Sequence, residues 1–238
     1  MMTLAREIKA VFFDFGGTLA EEAVARDAWI WARLRDRGVE RELEAVQKAL
    51  AVARTWHKDH QPRYGAGVDD QHRYWTWWYE GLLRQLGVGG DRCPLAEWLW
   101  ETQTVPHRLY LDTRLALETM RGRGWRLGVI SNWDNLELEQ VLGDLEVGEF
   151  FEVVLPSALA GYAKPRPEIF ERALQMIGAQ PTEAAHVGDS YNADVRGARG
   201  VGMQGVLIAR GYTPEGVDGP VVGSLVEVPG VLEGGAGD

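Results

Sequence analysis

The chain of 238 residues contains a single cysteine, Cys93, and therefore cannot form an internal disulfide bond. Basic residues are also few, because 25 Lys and Arg stand against 35 Asp and Glu, which gives a net charge of −10. This acidic balance argues against a protein that binds the phosphates of nucleic acids. The scarcity of cysteine fits a reducing compartment, and we expect a cytoplasmic location.

The N-terminal region lacks a long hydrophobic run. Its longest apolar run, residues 11–13, is too short for a signal peptide or a membrane-spanning helix. We therefore expect a soluble protein with neither a nucleic-acid nor a membrane partner. The content of 45% hydrophobic and 25% charged residues is typical of a globular chain of this length, whose core needs no metal to hold it together.

Apolar runs alternate with helical patterns over most of the chain. Residues 8–15 form a nearly continuous apolar run, which is typical of a strand buried on both faces. Further strands are predicted at 125–131, 151–155, 184–188 and 205–209, and helices at 112–122, 135–143, 167–177 and 192–200. This alternation predicts an α/β fold in which helices cover both faces of a parallel sheet.

Residues from about 21 to 106 follow a purely helical pattern and are rich in tryptophan. Eight of the ten Trp lie between positions 29 and 100, and six of these form three Trp-x-Trp pairs. Residues two apart point to opposite faces of a helix, so one member of each pair can fill the core of the helices. Trp31, Trp77 and Trp100 are then candidates for an aromatic pocket or a dimer surface, with simple packing between domains as the alternative.

Acidic and polar side chains follow the predicted strands, at the sheet edge where α/β proteins bind ligands. Asp14 and Asp189 each follow a strand, Asp194 lies one helical turn further on, and Ser131 and Lys164 accompany them. Two carboxylates at one edge repel each other unless a cation lies between them. Oxygen ligands without His or Cys favour Mg²⁺, and the pattern predicts phosphoryl transfer with Asp14 as the nucleophile.

Small residues beside these groups complete the predicted site. Gly16 and Gly17 let a ligand approach the backbone closely, and the Thr18 hydroxyl with nearby N–H groups could hold an anion. His186 lies inside an apolar strand, so we expect it to be a hydrogen-bonded core histidine rather than a ligand.

Four motifs that occur in order along the chain are Asp14-Phe15-Gly16-Gly17-Thr18, Ser131-Asn132, Lys164-Pro165-Arg166-Pro167, and Gly188-Asp189-Ser190 with Asp194. This order resembles the haloacid dehalogenase-like (HAD) hydrolase superfamily. The resemblance implies a Rossmann-like core of three layers, an inserted α-helical cap, and Mg²⁺-dependent phosphatase activity on a small phosphorylated metabolite. We expect core residues 1–20, a cap at 21–106, and core residues 107–238 with a disordered tail from about 230, in a monomer or homodimer.

The resemblance also implies roles for individual residues. The catalytic residues would be Asp14, Thr18, Ser131 and Lys164. The phosphate-binding residues would be Gly17, Ser131, Asn132 and Lys164. The metal ligands would be Asp14, the carbonyl of Gly16, Asp189, and Asp194, which would belong to the outer shell and reach the metal through water.

Gly16 departs from the family pattern, since the phosphatases carry a second Asp there as general acid and base. Its loss affects poor leaving groups most, because general acid catalysis contributes roughly 10²–10⁴-fold. Three interpretations follow: a phosphatase with another proton donor or a good leaving group, a metal-independent 2-haloacid dehalogenase, or a catalytically weak phosphate-binding member. Asp189 favours the phosphatase, since the dehalogenases tend to carry Ser there and need no metal.

Overall fold

The computed structural model describes residues 7–60 and 65–234. They form two compact units. One unit combines the chain up to Glu21 with the chain from Arg108 onward, and we call it the sheet unit. The other, Glu22–His107, is made of helices, and we call it the helical unit. In sequence, the helical unit is thus inserted between the two parts of the sheet unit.

The strands are arranged mainly in one parallel sheet. In chain order they are β1 (Ala10–Phe13), β2 (Ala20–Glu22), β3 (His107–Leu109), β4 (Arg126–Ser131), β5 (Val153–Pro156), β6 (Ala184–Gly188), β7 (Gln204–Ile208) and β8 (Val221–Val222). The sheet has the order β5-β4-β1-β6-β7-β8, while β2 and β3 pair separately. All neighbouring strands of the sheet run parallel, which confirms the predicted α/β fold.

The helices, in chain order, are α1 (Arg26–Asp36), α2 (Leu43–His60), α3 (Val68–Gln85), α4 (Cys93–Glu101), α5 (Thr113–Gly122), α6 (Leu138–Asp144), α7 (Ser157–Ala160), α8 (Pro167–Ile177), α9 (Gly197–Gly200) and α10 (Val228–Gly234). The bounds of α8 follow from its end residues, since Pro167 suits the first turn and Gly178 adopts a left-handed conformation after the last. Within the described residues, no helix is long and apolar enough to cross a bilayer.

The central strand β1 shows why both faces of the sheet are covered. Val11 and Phe13 belong to one buried cluster, which includes Leu117 of α5. Phe12 belongs to a second buried cluster, which includes Phe170 of α8. Because successive strand residues point to opposite faces, the apolar run around β1 needs helices on both sides. The result is a core of three layers, helix, sheet and helix.

Two predicted segments differ from the structure. The helix predicted at 192–200 is instead a π-helical stretch, Tyr191–Arg196, followed by α9. The Ser190 hydroxyl caps this stretch by accepting the N–H of Ala193 over 3.2 Å. The prediction of a disordered tail from about 230 is wrong as far as 234, because α10 buries Val228 and Leu232 in the sheet unit's core. Residues 235–238 lie outside the described part of the chain.

The helical unit is built around its aromatic side chains. Trp78 and Trp100 are buried in its core, and Trp31 and Trp77 are half-buried against it. The candidate role of Trp100 in a pocket or dimer surface is therefore wrong, since only 8% of this residue is exposed. The reason is that α4 packs along α3, so more than one face of this short apolar helix meets the unit's own core.

Candidate active site

Pairing between neighbouring strands brings Asp14 and Asp189 to one edge of the sheet. Phe13 of β1 lies opposite Val187 of β6, and the N–H of Asp14 donates to the Val187 carbonyl over 2.9 Å. Asp189 directly follows β6. One carboxylate oxygen from each of Asp14, Asp189 and Asp194 lies within 4.8 Å of the others. The structure thus brings together the three carboxylates that the sequence singled out.

Lys164 is the buried cation of this site and is only 5% exposed. Its Nζ donates to Asp14 Oδ1 over 2.8 Å, to Asp194 Oδ1 over 2.6 Å and to the Ile130 carbonyl over 2.7 Å. These bonds use all three donors of an ammonium group. Burial by itself lowers the pKa of Lys164, but the charges of Asp14 and Asp194 outweigh it and raise that pKa. Lys164 therefore stays charged.

The carboxylate of Asp14 has one restrained oxygen and one open oxygen. Oδ1 accepts the Ser131 hydroxyl over 3.0 Å as well as the Lys164 ammonium. Oδ2 accepts no hydrogen bond from the residues that the structure describes. The two contacts on Oδ1 restrain this oxygen, and Oδ2 is left without a donor from the described residues.

Asp194 is the counter-charge of Lys164. It is 1% exposed, and its Oδ1 also lies 3.0 Å from His186 Nε2, while Oδ2 accepts the N–H of Ser190 over 2.9 Å. Burial alone raises the pKa of Asp194, but Lys164 and His186 together hold it well below its usual range. His186 is fully buried, which confirms the expectation of a hydrogen-bonded core histidine.

Asp189 is the carboxylate most open to solvent. Partial burial and the negative charges of Asp14 and Asp194 raise the pKa of Asp189 to about 6. Gly17 lies directly against it with φ +74°, and a Cβ on Gly17 would collide with the Asp189 carboxylate. Glycine is therefore required at 17 for both conformation and space. The N–H of Gly17 already donates to the Ala20 carbonyl over 2.9 Å.

Asn132 supports Lys164 through the backbone. Its Nδ2 donates to the Lys164 carbonyl over 3.0 Å, and its Oδ1 accepts the Lys164 N–H over 2.7 Å. Both ends of the Asn132 amide are thus engaged. The side chain positions the segment that carries Lys164, and the phosphate-binding role of Asn132 stays a prediction.

The turn after β1 contains Gly16 and Thr18, which occupy very different environments. Gly16 is exposed, and a Cβ added there would meet no atom within 4 Å. Thr18 is fully buried, and its Oγ1 has no hydrogen-bond partner among the described residues. The structure therefore leaves open space at Gly16, where a side-chain acid is missing, and leaves the Thr18 hydroxyl without a contact to Asp14.

Arg210 is a site residue that the sequence analysis missed. Its Nη2 donates to the Thr18 carbonyl over 2.7 Å and lies 3.0 Å from Asp112 Oδ1, and its guanidinium stacks 3.8 Å above the ring of Tyr110. These contacts fix the turn that follows Asp14. The signal was present, because Arg210 comes directly after a predicted strand, where ligand-site residues of α/β folds occur.

The model of the haloacid dehalogenase-like hydrolase family matches residues 8–202 of the chain. The chain belongs to this family. It is 34% identical over 207 residues to the haloacid dehalogenase-like hydrolase domain-containing protein 3 of Homo sapiens. The matched region covers 84% of this chain and 80% of that protein. The chain is therefore a hydrolase, as its motifs indicate.

Two other HAD proteins resemble it over most of their length. A glyceraldehyde 3-phosphate phosphatase of Methanopyrus kandleri is 31% identical over 216 residues, which are 86% of this chain and 85% of that protein. The crystal structure of a HAD phosphatase from Thermococcus onnurineus is 25% identical, with a TM-score of 0.65 over 95% of this chain and 99% of that chain. The sheet and the inserted helical unit thus follow a fold known in the family.

The donor set of this HAD hydrolase fits a hard divalent cation. Asp14, Asp189 and Asp194 offer carboxylate oxygens, the ligands that Mg²⁺ prefers. Partial burial raises the pKa of Asp189, and the negative charges of Asp14 and Asp194 raise it further, while Lys164 opposes them. A cation beside Asp14 and Asp189 would offset the charges of these carboxylates.

Proposed function

We propose that this HAD hydrolase is a Mg²⁺-dependent phosphatase, which hydrolyses a small phosphorylated metabolite through an aspartyl phosphate on Asp14. The observation that carries the proposal is the asymmetric carboxylate of Asp14, whose Oδ1 is held by Lys164 and Ser131 while Oδ2 is open. A nucleophile held in one orientation loses less entropy in the transition state. The similarity to a phosphatase of Methanopyrus kandleri supports this choice.

The reaction has two displacements at phosphorus. In the first, Asp14 Oδ2 forms a bond to phosphorus, the ester P–O bond breaks, and the leaving alcohol takes up a proton. In the second, water attacks the same phosphorus atom and the bond to Asp14 breaks. The products are the free carboxylate of Asp14 and inorganic phosphate, so the sum of both steps is the hydrolysis of one phosphate ester by one water molecule.

The charges around Asp14 have separate tasks. Lys164 acts mainly as a fixed positive charge beside the phosphoryl group, because its three N–H groups already have protein acceptors. Bound Mg²⁺ would be held by Asp14, Asp189 and the Gly16 carbonyl, with Asp194 in the outer shell, and would supply positive charge to the phosphoryl oxygens. Ser131 keeps the Asp14 carboxylate in position.

The open space at Gly16 limits which substrates react well. No side chain at position 16 can protonate the leaving oxygen, so the proton must come from water or from another donor. Substrates with a good leaving group, such as acyl or aryl phosphates, need this help least. We therefore propose that the enzyme turns over acyl and aryl phosphates faster than alkyl phosphates.

A metal-independent 2-haloacid dehalogenase is the second candidate, and the missing acid at Gly16 is the observation that favours it. In that reaction Asp14 attacks carbon, halide leaves, and water then hydrolyses the resulting ester. The close grouping of the Asp14, Asp189 and Asp194 carboxylates counts against it, because a metal-independent dehalogenase has no bound cation to offset their charge.

The deciding experiment measures phosphate release from p-nitrophenyl phosphate and acetyl phosphate, and halide release from 2-chloropropionate, each with Mg²⁺ and with EDTA. We expect phosphate release that requires Mg²⁺ and falls by roughly 10⁴-fold or more in Asp14→Asn, as when other enzymes lose their nucleophile. The matched control is Asp144→Asn, which changes an exposed carboxylate at the end of α6 and leaves turnover unchanged.

Other outcomes would contradict the proposal. Halide release in EDTA would establish the dehalogenase instead. Tight binding of inorganic phosphate without turnover of any substrate would establish a phosphate-binding protein. Normal turnover by Asp14→Asn would remove Asp14 from the role of nucleophile.

A further inference from the structure

His186 is a buried polar residue to which the mechanism above gives no task. It lies in the middle of β6, between Phe12 of β1 and Gly205 of β7, and has no accessible surface. The ring of Phe170 meets it edge-on, with centroids 5.4 Å apart. A β-branched apolar residue would suit such a buried strand position better. Among the described residues, the imidazole makes one polar contact, with Asp194, and this contact accounts for a histidine at the position.

The hydrogen bond to Asp194 defines the tautomer of His186. Asp194 Oδ1 also accepts the Lys164 ammonium, so its carboxylate is ionised and can only accept hydrogen bonds. The proton of the imidazole must then lie on Nε2, which is 3.0 Å from Asp194 Oδ1. Nδ1 is buried without a partner among the described residues, as suits the unprotonated nitrogen of a neutral ring.

We propose that His186 is a positioning residue, which orients Asp194 so that Lys164 is held against the nucleophile Asp14. Asp194 Oδ1 is the shared acceptor of Lys164 and His186, at 2.6 Å and 3.0 Å, and the Ser190 N–H holds Oδ2. Without His186, the carboxylate keeps the Ser190 N–H on Oδ2 and the Lys164 ammonium on Oδ1, and it loses the one contact on Oδ1 that does not come from the lysine it has to position.

This chain of contacts affects catalysis through the position of Lys164. Rotation of the Asp194 carboxylate lets Lys164 shift relative to Asp14 Oδ1, to which its Nζ donates over 2.8 Å. This step rests on the proposed function, since Lys164 is there the cation beside the phosphoryl group. Loss of outer-shell partners of this kind typically costs about 10–100-fold in activity.

Two variants separate positioning from simple core filling. His186→Gln can still present an N–H towards Asp194, whereas His186→Met fills a similar volume without a donor. We expect His186→Met to lose about tenfold or more in kcat/KM and to raise the inhibition constant of inorganic phosphate by a similar factor. His186→Gln should stay within about threefold of the wild type, although both variants lose stability. Equal activity of the two variants would overturn the proposal.

A measurement on the wild type makes the test independent of turnover. The ring ¹⁵N resonances of the five histidines, with His186 assigned as the one missing from His186→Gln, report each tautomer. We expect a neutral Nε2–H ring for His186. A proton on Nδ1 would overturn the positioning role even if the enzyme is a phosphatase. A neutral Nε2–H ring in a protein without phosphatase activity would overturn the proposed function and support the Asp194 contact.

Discussion

The two units of the chain differ in what they bury. The sheet unit buries charged and titratable groups, since Lys164, Asp194 and His186 are at most 5% exposed and bond to one another. In the described part of the helical unit, the buried side chains are apolar or aromatic apart from Gln71. The Trp78 indole there donates to the Ala53 carbonyl over 3.2 Å.

This difference indicates that the chemistry belongs to the sheet unit. Removing charges from water costs several kcal/mol per ion, as an order of magnitude, and well-packed apolar groups often give equal or greater stability. The sheet unit therefore carries its buried ions for a reason other than stability. The aromatic core of the helical unit needs no such reason, because large buried rings contribute stability directly. Four substitutions test this contrast, and they are given in decreasing order of the change they should cause.

Lys164→Met removes the cation that Asp14 and Asp194 share. We expect a loss of about 3–5 kcal/mol in the free energy of unfolding, because two carboxylates then lose their buried partner. Urea denaturation measures the loss, and phosphatase activity should disappear with it. The matched control is Lys9→Met, since the Lys9 ion pair with Glu183 is at the surface and its loss should change the stability little. Equal losses in both variants would contradict the contrast.

Trp78→Phe tests the helical unit by removing ring volume and the bond to Ala53. We expect a loss of about 2 kcal/mol in unfolding free energy, with Mg²⁺ affinity unchanged, because no charge is involved. Calorimetry measures both quantities. Trp77→Phe is the control, and its half-buried ring should cost less. A changed Mg²⁺ affinity in Trp78→Phe would show that the helical unit's core is not independent of the site.

Gly16→Asp supplies the side-chain acid that the family phosphatases carry. The position has open space, so the change should not disturb the fold. We expect kcat/KM for alkyl phosphates to rise roughly tenfold, while aryl phosphates change little, because only poor leaving groups need the proton. Gly16→Asn is the control of equal size without an acid. If both variants behave alike, the missing acid does not limit the rate.

Asp189→Asn removes the titratable carboxyl group whose pKa is raised. The pKa of Asp189 is about 6 in the folded protein against the usual 3.8, so the metal-free folded state binds this proton more tightly than the unfolded state. The wild type should thus lose stability as the pH rises from about 4 to 7.

The variant should lack this loss. At pH 8 we expect Asp189→Asn to be more stable than the wild type by about 1 kcal/mol, a figure reduced for the partial solvent exposure of Asp189. Thermal unfolding in EDTA at several pH values measures the difference. A wild type whose stability does not fall over this range would contradict the raised pKa of Asp189.

Much of the sheet unit could be predicted from the sequence, for a clear physical reason. Strands buried on both faces leave nearly continuous apolar runs, and parallel strands present their carboxyl ends at one edge. The sequence alone therefore predicts that Asp14, Ser131 and Asp189 lie close together. Lys164 does not follow a predicted strand, and its place in the site could be predicted only from the order of the four motifs.

Other features depend on geometry that no local pattern records. The bond of Lys164 to the Ile130 carbonyl needs a particular approach of a loop to β4, and the π-helical turn places Asp194 against His186. The pocket or dimer role predicted for Trp100 was wrong because helical periodicity shows which residues share a face of a helix, but not which other helices pack against that face. Arg210 was overlooked although its position after a strand was a usable signal.

The most direct test of the whole account is to trap the intermediate on Asp14. Enzyme mixed with acetyl phosphate and Mg²⁺, quenched in acid within milliseconds and digested, should yield the peptide containing Asp14 with one added phosphoryl group. The adduct should be absent in EDTA and in Asp14→Asn. Turnover of the phosphate without this adduct, or with the phosphoryl group on another residue, would contradict the assignment of Asp14 as the nucleophile.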